Sequence, residues 1–141
     1  MNEDLIIGID AGTSVIKSVA FDLAGRQIAV ASVQNRYTTA EDGSATQPLD
    51  QTWNDCVRSL RQLAEAIPDL AHRVTAVAVT GQGDGTWLID KDHQPVGDAW
   101  LWLDARAGQT AEKLRQSSDD VERFLHTGTG LNTCQQGAQF V

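Results

Sequence analysis

The sequence predicts an α/β fold: a sheet with an antiparallel three-strand meander at one side, a crossover helix and a further parallel strand. Three observations carry this. Apolar runs of strand length occupy residues 5–37 with turn residues between them. A stretch with apolar steps of three and four follows at 50–67. A nearly continuous apolar run, "RVTAVAVTG", comes after it, as expected of a strand returning beside the others.

Leu5 to Ile9 reads as a buried strand and Val15 to Phe21 as a second. Val15, Val19 and Phe21 fall on one face of the second, with Ile16, Ser18 and Ala20 on the other. "DLAGR" supplies a hairpin turn, and Gln27 to Tyr37 follows as the third strand, with Ile28 and Val30 on one face. "TTAEDGSATQPLD" is polar and reads as a loop. Asp50 is placed to cap a helix whose apolar face is Trp53, Val57, Leu60, Ala64 and Ile67, and Pro68 marks its end. The strand over "RVTAVAVTG" is expected to be buried on both faces. Beyond it come a glycine loop, a strand at Thr86 to Ile89, and an extended segment through Trp100 to Leu103 whose two tryptophans share a face. A helix is expected over Ala105 to Gln116, then a short one capped by Ser118 and carrying Val121, Phe124 and Leu125. The chain stops where another helix begins, the expectation for an incomplete domain.

Composition narrows the function. Hydrophobic residues make up 41 % and charged residues 21 %, enough for a core and unlike a disordered chain. The formal net charge of -8 argues against a nucleic-acid or anionic-membrane surface. Phosphate ligands stay open, because backbone N–H groups and a metal ion bind them without a basic surface. Cys56 and Cys134 lack zinc or redox spacing, and His72, His93 and His126 read as surface residues. The N-terminal "MNEDLIIGID" is neither a signal peptide nor a membrane span, which makes the cytoplasm the expected compartment. The exposed side of an unfinished sheet predicts self-association.

Two stretches hold chemistry. In "IIGIDAGTSVIKSVAFD", Asp10 ends a strand and is suited to Mg²⁺, which takes oxygen ligands. Gly12 permits a tight turn, Thr13 and Ser14 add hydroxyls, and Lys17 adds a positive charge. These residues fit a polyphosphate with its metal, and they fit an ordinary hairpin equally well. In "VTGQGDGTWLID", Gln82 and Asp84 stand among glycines at the end of a strand. An amide and a carboxylate there can hydrogen-bond vicinal hydroxyls, with Gly83 leaving the backbone open to a close approach. A flexible loop is the alternative reading.

The first stretch resembles the leading phosphate motif of the FGGY carbohydrate kinases, within the actin-like ATPase superfamily and its ribonuclease-H-like fold. The resemblance implies ATP and Mg²⁺ as cofactors, with Asp10 on the metal and Gly12, Thr13, Ser14 and Lys17 around the γ-phosphate. It implies a small-molecule polyol or sugar as the substrate partner, met by the loop at Gln82, Gly83 and Asp84. The Arg-Glu pair of glycerol kinases and the Met-His-Gly of xylulokinases are both missing from that loop. "WLWLDARA" resembles the family segment ending in Asp/Cys-x-Arg, which implies Trp102 as a pocket wall with Asp104 and Arg106 near the sugar. The residues themselves also allow core packing for Trp100 and Trp102, a helix cap for Asp104 and an Asp104–Arg106 pair. "GDGTWLID", "DAWLWLDARA" and "TGTGLNTCQQGAQ" are most similar to the erythritol-phosphorylating branch, which brings Cys134, Gln135 and Gln136 toward the polyol. By this resemblance residues 1–141 are the N-terminal part of the first FGGY domain, with the catalytic base and second domain beyond Val141. The remaining alternatives are a xylulose-type kinase and a non-catalytic sugar-binding module.

Overall fold

A computed structural model describes residues 4–140. The strands are β1 (Leu5–Ala11), β2 (Val15–Asp22), β3 (Gln27–Gln34), β4 (Thr38–Thr39), β5 (Ala45–Gln47), β6 (Val74–Gly81) and β7 (Ala99–Trp100). The helices are α1 (Leu49–Ala66), α2 (Leu70–Arg73), α3 (Gly108–Arg115), α4 (Asp120–Thr127) and α5 (Gln136–Gln139). Two compact units result, one from residues 1–37 and 50–82, the other from 38–49 and 83–141.

The first unit is a four-stranded sheet in the order β3-β2-β1-β6. The β1–β2 and β2–β3 pairs are antiparallel and β6 joins β1 in parallel. The expected meander with its added parallel strand is thus present. Strand alternation sends Leu5, Ile7, Ile9, Ile16, Ala20 and Ala31 to one face, where they form a core with Leu63, Ile67 and Leu70. The β2–β3 turn closes as "DLAGR" predicts. Asp22 accepts from the backbone N–H of Ala24 and Arg26, both at 2.9 Å, and Gly25 takes φ +81°.

Three expectations are corrected here. Helix α1 buries Asp55, Ser59 and Leu63; of the expected face, Ile67 joins the core and Leu60 packs against it, whereas Trp53 is 70 % exposed and Ala64 is exposed. At the centre of the contact Ser59 meets Ser18 at 2.6 Å in the interior, and Ser18 lies beside Ala31 in the β2–β3 register. Close approach there selects small residues, a size criterion that apolar periodicity does not contain. Asp55 is tolerated inside through Arg58 at 2.6 Å. Asp50 lies in the first turn of α1, where it complements the helix dipole, and is not its cap. Finally, β6 is not buried on both faces. It is an edge strand, with Val77 55 % and Val79 68 % exposed.

The second unit carries the small antiparallel sheet β4-β5-β7. The stretch expected to be a loop therefore forms a hairpin. Asp42 and Gly43 make its turn, with Gly43 at φ +83° and the Asp42 carboxylate accepting the Ser44 N–H. The strand expected at Thr86 to Ile89 reduces to two isolated bridges, Thr86 to Trp100 and Ile89 to Pro95. The extended segment after Trp100 becomes a turn, so Trp100 and Trp102 do not share a strand face. Ser118 does not cap α4: Asp119 is the N-cap, and Ser118 donates to its carboxylate. Val121, Phe124 and Leu125 are exposed. A small core gathers Ala107, Ala111, Leu131 and Ala138.

Candidate functional site

The β1–β2 register sets Asp10 opposite Lys17, and the parallel β1–β6 register sets Thr80 on the other side of Asp10. Alternation puts this row on the face away from α1. Asp10, Lys17 and Thr80 line a cavity of about 340 Å³ with Gly8, Val19 and Phe21. The Asp10 carboxylate also reaches the turn: one oxygen lies 3.8 Å from where a Cβ on Gly12 would sit. A Cβ at Gly12 would itself fall 2.6 Å from the Val15 carbonyl oxygen, so the turn admits glycine alone without rearrangement. Acid, glycine turn, hydroxyls of Thr13 and Ser14, and ammonium group therefore belong to one strand end.

A residue absent from the sequence-based site also meets this turn. Asn35, just past β3 and 3 % exposed, donates from Nδ2 to the Gly12 carbonyl at 3.0 Å. Its backbone N–H donates to the Ser14 carbonyl at 2.9 Å. The third strand, expected to run to Tyr37, ends at Gln34, and Asn35 stands inside the expected strand as a polar residue that the pattern did not mark out.

Gln82 is the last residue of the first unit, and both polar atoms of its amide are shielded without a hydrogen-bond partner among the described residues. Gly83, Asp84 and Gly85 begin the corresponding part of the second unit. Gly85 has φ +101°, and a Cβ there would lie 2.5 Å from the Trp100 carbonyl oxygen. Residues 134–139 strap this loop. The Gly85 N–H donates to the Cys134 carbonyl at 2.8 Å, Gln136 Nε2 donates to the Gly85 carbonyl, and Thr86 bonds Gln139 through its hydroxyl. Burial pushes the Cys134 thiol above its ordinary range, and the nearby Asp84 carboxylate adds to this. Gln135 is held on the same segment, its Oε1 accepting the Asn132 N–H at 3.2 Å.

The "LDAR" segment takes a different form. Asp104 is fully buried and accepts from Arg106 Nη2 at 2.7 Å and from the Ala45 N–H at 3.0 Å. Burial drives its carboxyl upward, but the Arg106 guanidinium and the two backbone N–H groups outweigh that, leaving it below the ordinary carboxylate range. The Arg106 guanidinium stacks 3.7 Å from the Trp100 ring centre. Asp104 does not cap the next helix, whose N-cap is Ala107. Trp102 is half exposed on the intervening turn.

The model for the N-terminal domain of the FGGY family of carbohydrate kinases matches residues 5–139. The chain belongs to that family. It is 62 % identical to the erythritol kinase of Brucella abortus (strain 2308) over 136 residues, covering 96 % of this chain and 26 % of that one. It is 31 % identical to a probable L-xylulose kinase of Haemophilus influenzae over 118 residues, 84 % of this chain and 24 % of the relative. The FGGY chain thus spans about a quarter of the length of these relatives. Xylulose kinase from Rhodospirillum rubrum superimposes with a TM-score of 0.88 at 24 % identity, over 96 % of this chain and 28 % of that one. The ribonuclease-H-like, actin-like ATPase architecture expected of the family is the one observed.

The donor set of this FGGY chain fits magnesium held jointly with phosphate. Among the described residues no group of three or more His, Cys, Asp or Glu side chains could cage a metal. Mg²⁺ is commonly bound by one or two carboxylates, waters and substrate phosphates, and the exposed Asp10 beside a glycine turn offers that arrangement. His72, His93 and His126 are exposed, as expected, and both cysteines are free. No helix among the described residues is long and apolar enough to cross a membrane.

Proposed function

We propose that the protein is an ATP-dependent polyol kinase that phosphorylates a terminal hydroxyl of erythritol, and that these residues form the N-terminal part of its first domain. The likeness to the Brucella erythritol kinase over nearly the whole chain carries this reading. The Asp10–Gly12 geometry supports it. Mg²⁺ bound with ATP would neutralise charge on the phosphate oxygens. Asp10 would hold that ion, the Gly12-Thr13-Ser14 turn would cradle the γ-phosphate, and Lys17 would balance its charge. Gln82, Gly83 and Asp84 would meet the polyol hydroxyls, with Gln135 and Trp102 nearby. Asp104 and Arg106, paired with each other, would act from behind, through the Ala45 backbone and the Trp100 ring that they contact. We assign the base that takes the hydroxyl proton to no residue of this chain. ATP as co-substrate supports a cytoplasmic location, and the net charge of -8 supports a small polyol as partner over nucleic acid or an anionic membrane.

A xylulose-type substrate is the second reading, favoured by the Haemophilus relative. The test is a panel of erythritol, glycerol, D-xylulose and L-xylulose with Mg-ATP and the full-length protein, followed by mass spectrometry of the product. Erythritol phosphate as the preferred product is expected. Preference for a ketopentose would transfer the assignment to the second reading, and no phosphorylated product would end both.

A further inference from the structure

Asn35 has three features that packing does not explain together. It is almost completely buried, it ties two carbonyls of the β1–β2 turn, and its Oδ1 is shielded with no hydrogen-bond partner among the described residues. A buried, unpartnered amide oxygen is costly, and a leucine would fill similar volume without that cost. What leucine would not supply is the Nδ2 donor to Gly12.

That donor acts on backbone direction. A carbonyl and the N–H of the next residue share one rigid trans plane. Bonds to the Gly12 and Ser14 carbonyls therefore fix the planes that also carry the Thr13 and Val15 N–H groups. Gly12 has the softest backbone in the turn, so its plane has most to gain from an external tie.

We propose that Asn35 is a positioning residue for the phosphate turn: its Nδ2 bond to the Gly12 carbonyl holds the Gly12–Thr13 peptide in the orientation that receives the nucleotide's terminal phosphates. The inference rests on the kinase reading above. Asn35 touches no substrate; it acts through the turn.

The experiment compares the full-length protein with Asn35→Leu, and with Asn35→Ala as a second variant. Calorimetry gives the Kd for MgADP, steady-state assays give separate KM values for MgATP and polyol, and thermal denaturation gives Tm. The expected result is about a tenfold weaker nucleotide Kd with a matching rise in the MgATP KM, the scale of one lost tie in a shielded site. The polyol KM stays within about twofold and the Tm of Asn35→Leu does not fall, since the unpartnered Oδ1 has gone. Unchanged nucleotide binding would overturn the proposal. So would both KM values rising together, or neither variant folding, because each marks a merely structural role. If the unaltered protein binds MgADP but phosphorylates no polyol, the kinase reading fails separately.

Discussion

The Asp10 carboxylate stands 3.8 Å from the place a Cβ on Gly12 would occupy, so the acid at the end of β1 is turned into the bend that follows it. Across the hairpin it faces Lys17. Replacing Asp10 by Ala should weaken MgADP binding by about tenfold or more, as a charge-assisted contact is lost. The side chain is exposed, so Tm should hardly move. Calorimetry with and without Mg²⁺ checks this. Equal loss of ADP binding in EDTA would show that Asp10 does not work through the metal.

Gly12 and Gly85 should respond alike, since an added Cβ at either meets a carbonyl oxygen. Gly12→Ala brings a methyl group to 2.6 Å from the Val15 oxygen, and Gly85→Ala brings one to 2.5 Å from the Trp100 oxygen at φ +101°. Each should cost roughly 1–3 kcal/mol of stability, as expected where backbone must yield. Urea denaturation measures the loss, and Gly83→Ala is the control, since no atom lies within 4 Å of its added Cβ.

Ser18 and Ser59 form a buried pair between sheet and helix, and Ser59 also donates to the Cys56 carbonyl. Ser59→Ala leaves the Ser18 hydroxyl without that partner and should destabilise by about 1–3 kcal/mol. The double variant Ser18→Ala/Ser59→Ala should cost less than the sum of the singles, because no orphaned hydroxyl is left. A double-mutant cycle in urea reads this coupling directly.

Asp104 gives the second unit an acid-sensitive contact. Its folded pKa lies below the ordinary 3.8. Between the two values the unfolded chain binds more protons than the folded one. The contribution to stability is therefore complete above the ordinary carboxylate range and is lost as pH falls through the folded value. Arg106→Met should move that acid limb to higher pH, because burial then opposes the charge with less compensation. Unfolding followed by circular dichroism from pH 6 to pH 2 checks it, and an unmoved limb would show that Asp104 and Arg106 are not coupled.

Much of the first unit was legible in the residues. Alternation separated the two faces of β2, and "DLAGR" named its turn, because both signals act over a few positions. The Asp10-to-Lys17 cluster was legible for the same reason: a tight hairpin makes residues seven apart into cross-strand neighbours. The short hairpin at Thr38–Gln47 was also signalled, by Asp42-Gly43, but its strands are too short for periodicity to reveal.

The sequence by itself determined the strand order of the meander, the composition of the Asp10–Lys17 turn and the family. Tertiary structure alone decided which face of α1 is buried, that β6 is an open edge, that Asp104, paired with Arg106 as its spacing allowed, also accepts from Ala45, and that Asn35 and the 134–139 strap reach the two glycine loops. The physical reason is range and size. Local pattern records dihedral preference and polarity, whereas contacts such as Gly12 to Asn35, 23 positions apart, and Ala45 to Asp104, 59 apart, depend on which distant segments meet and whether their side chains fit the same space.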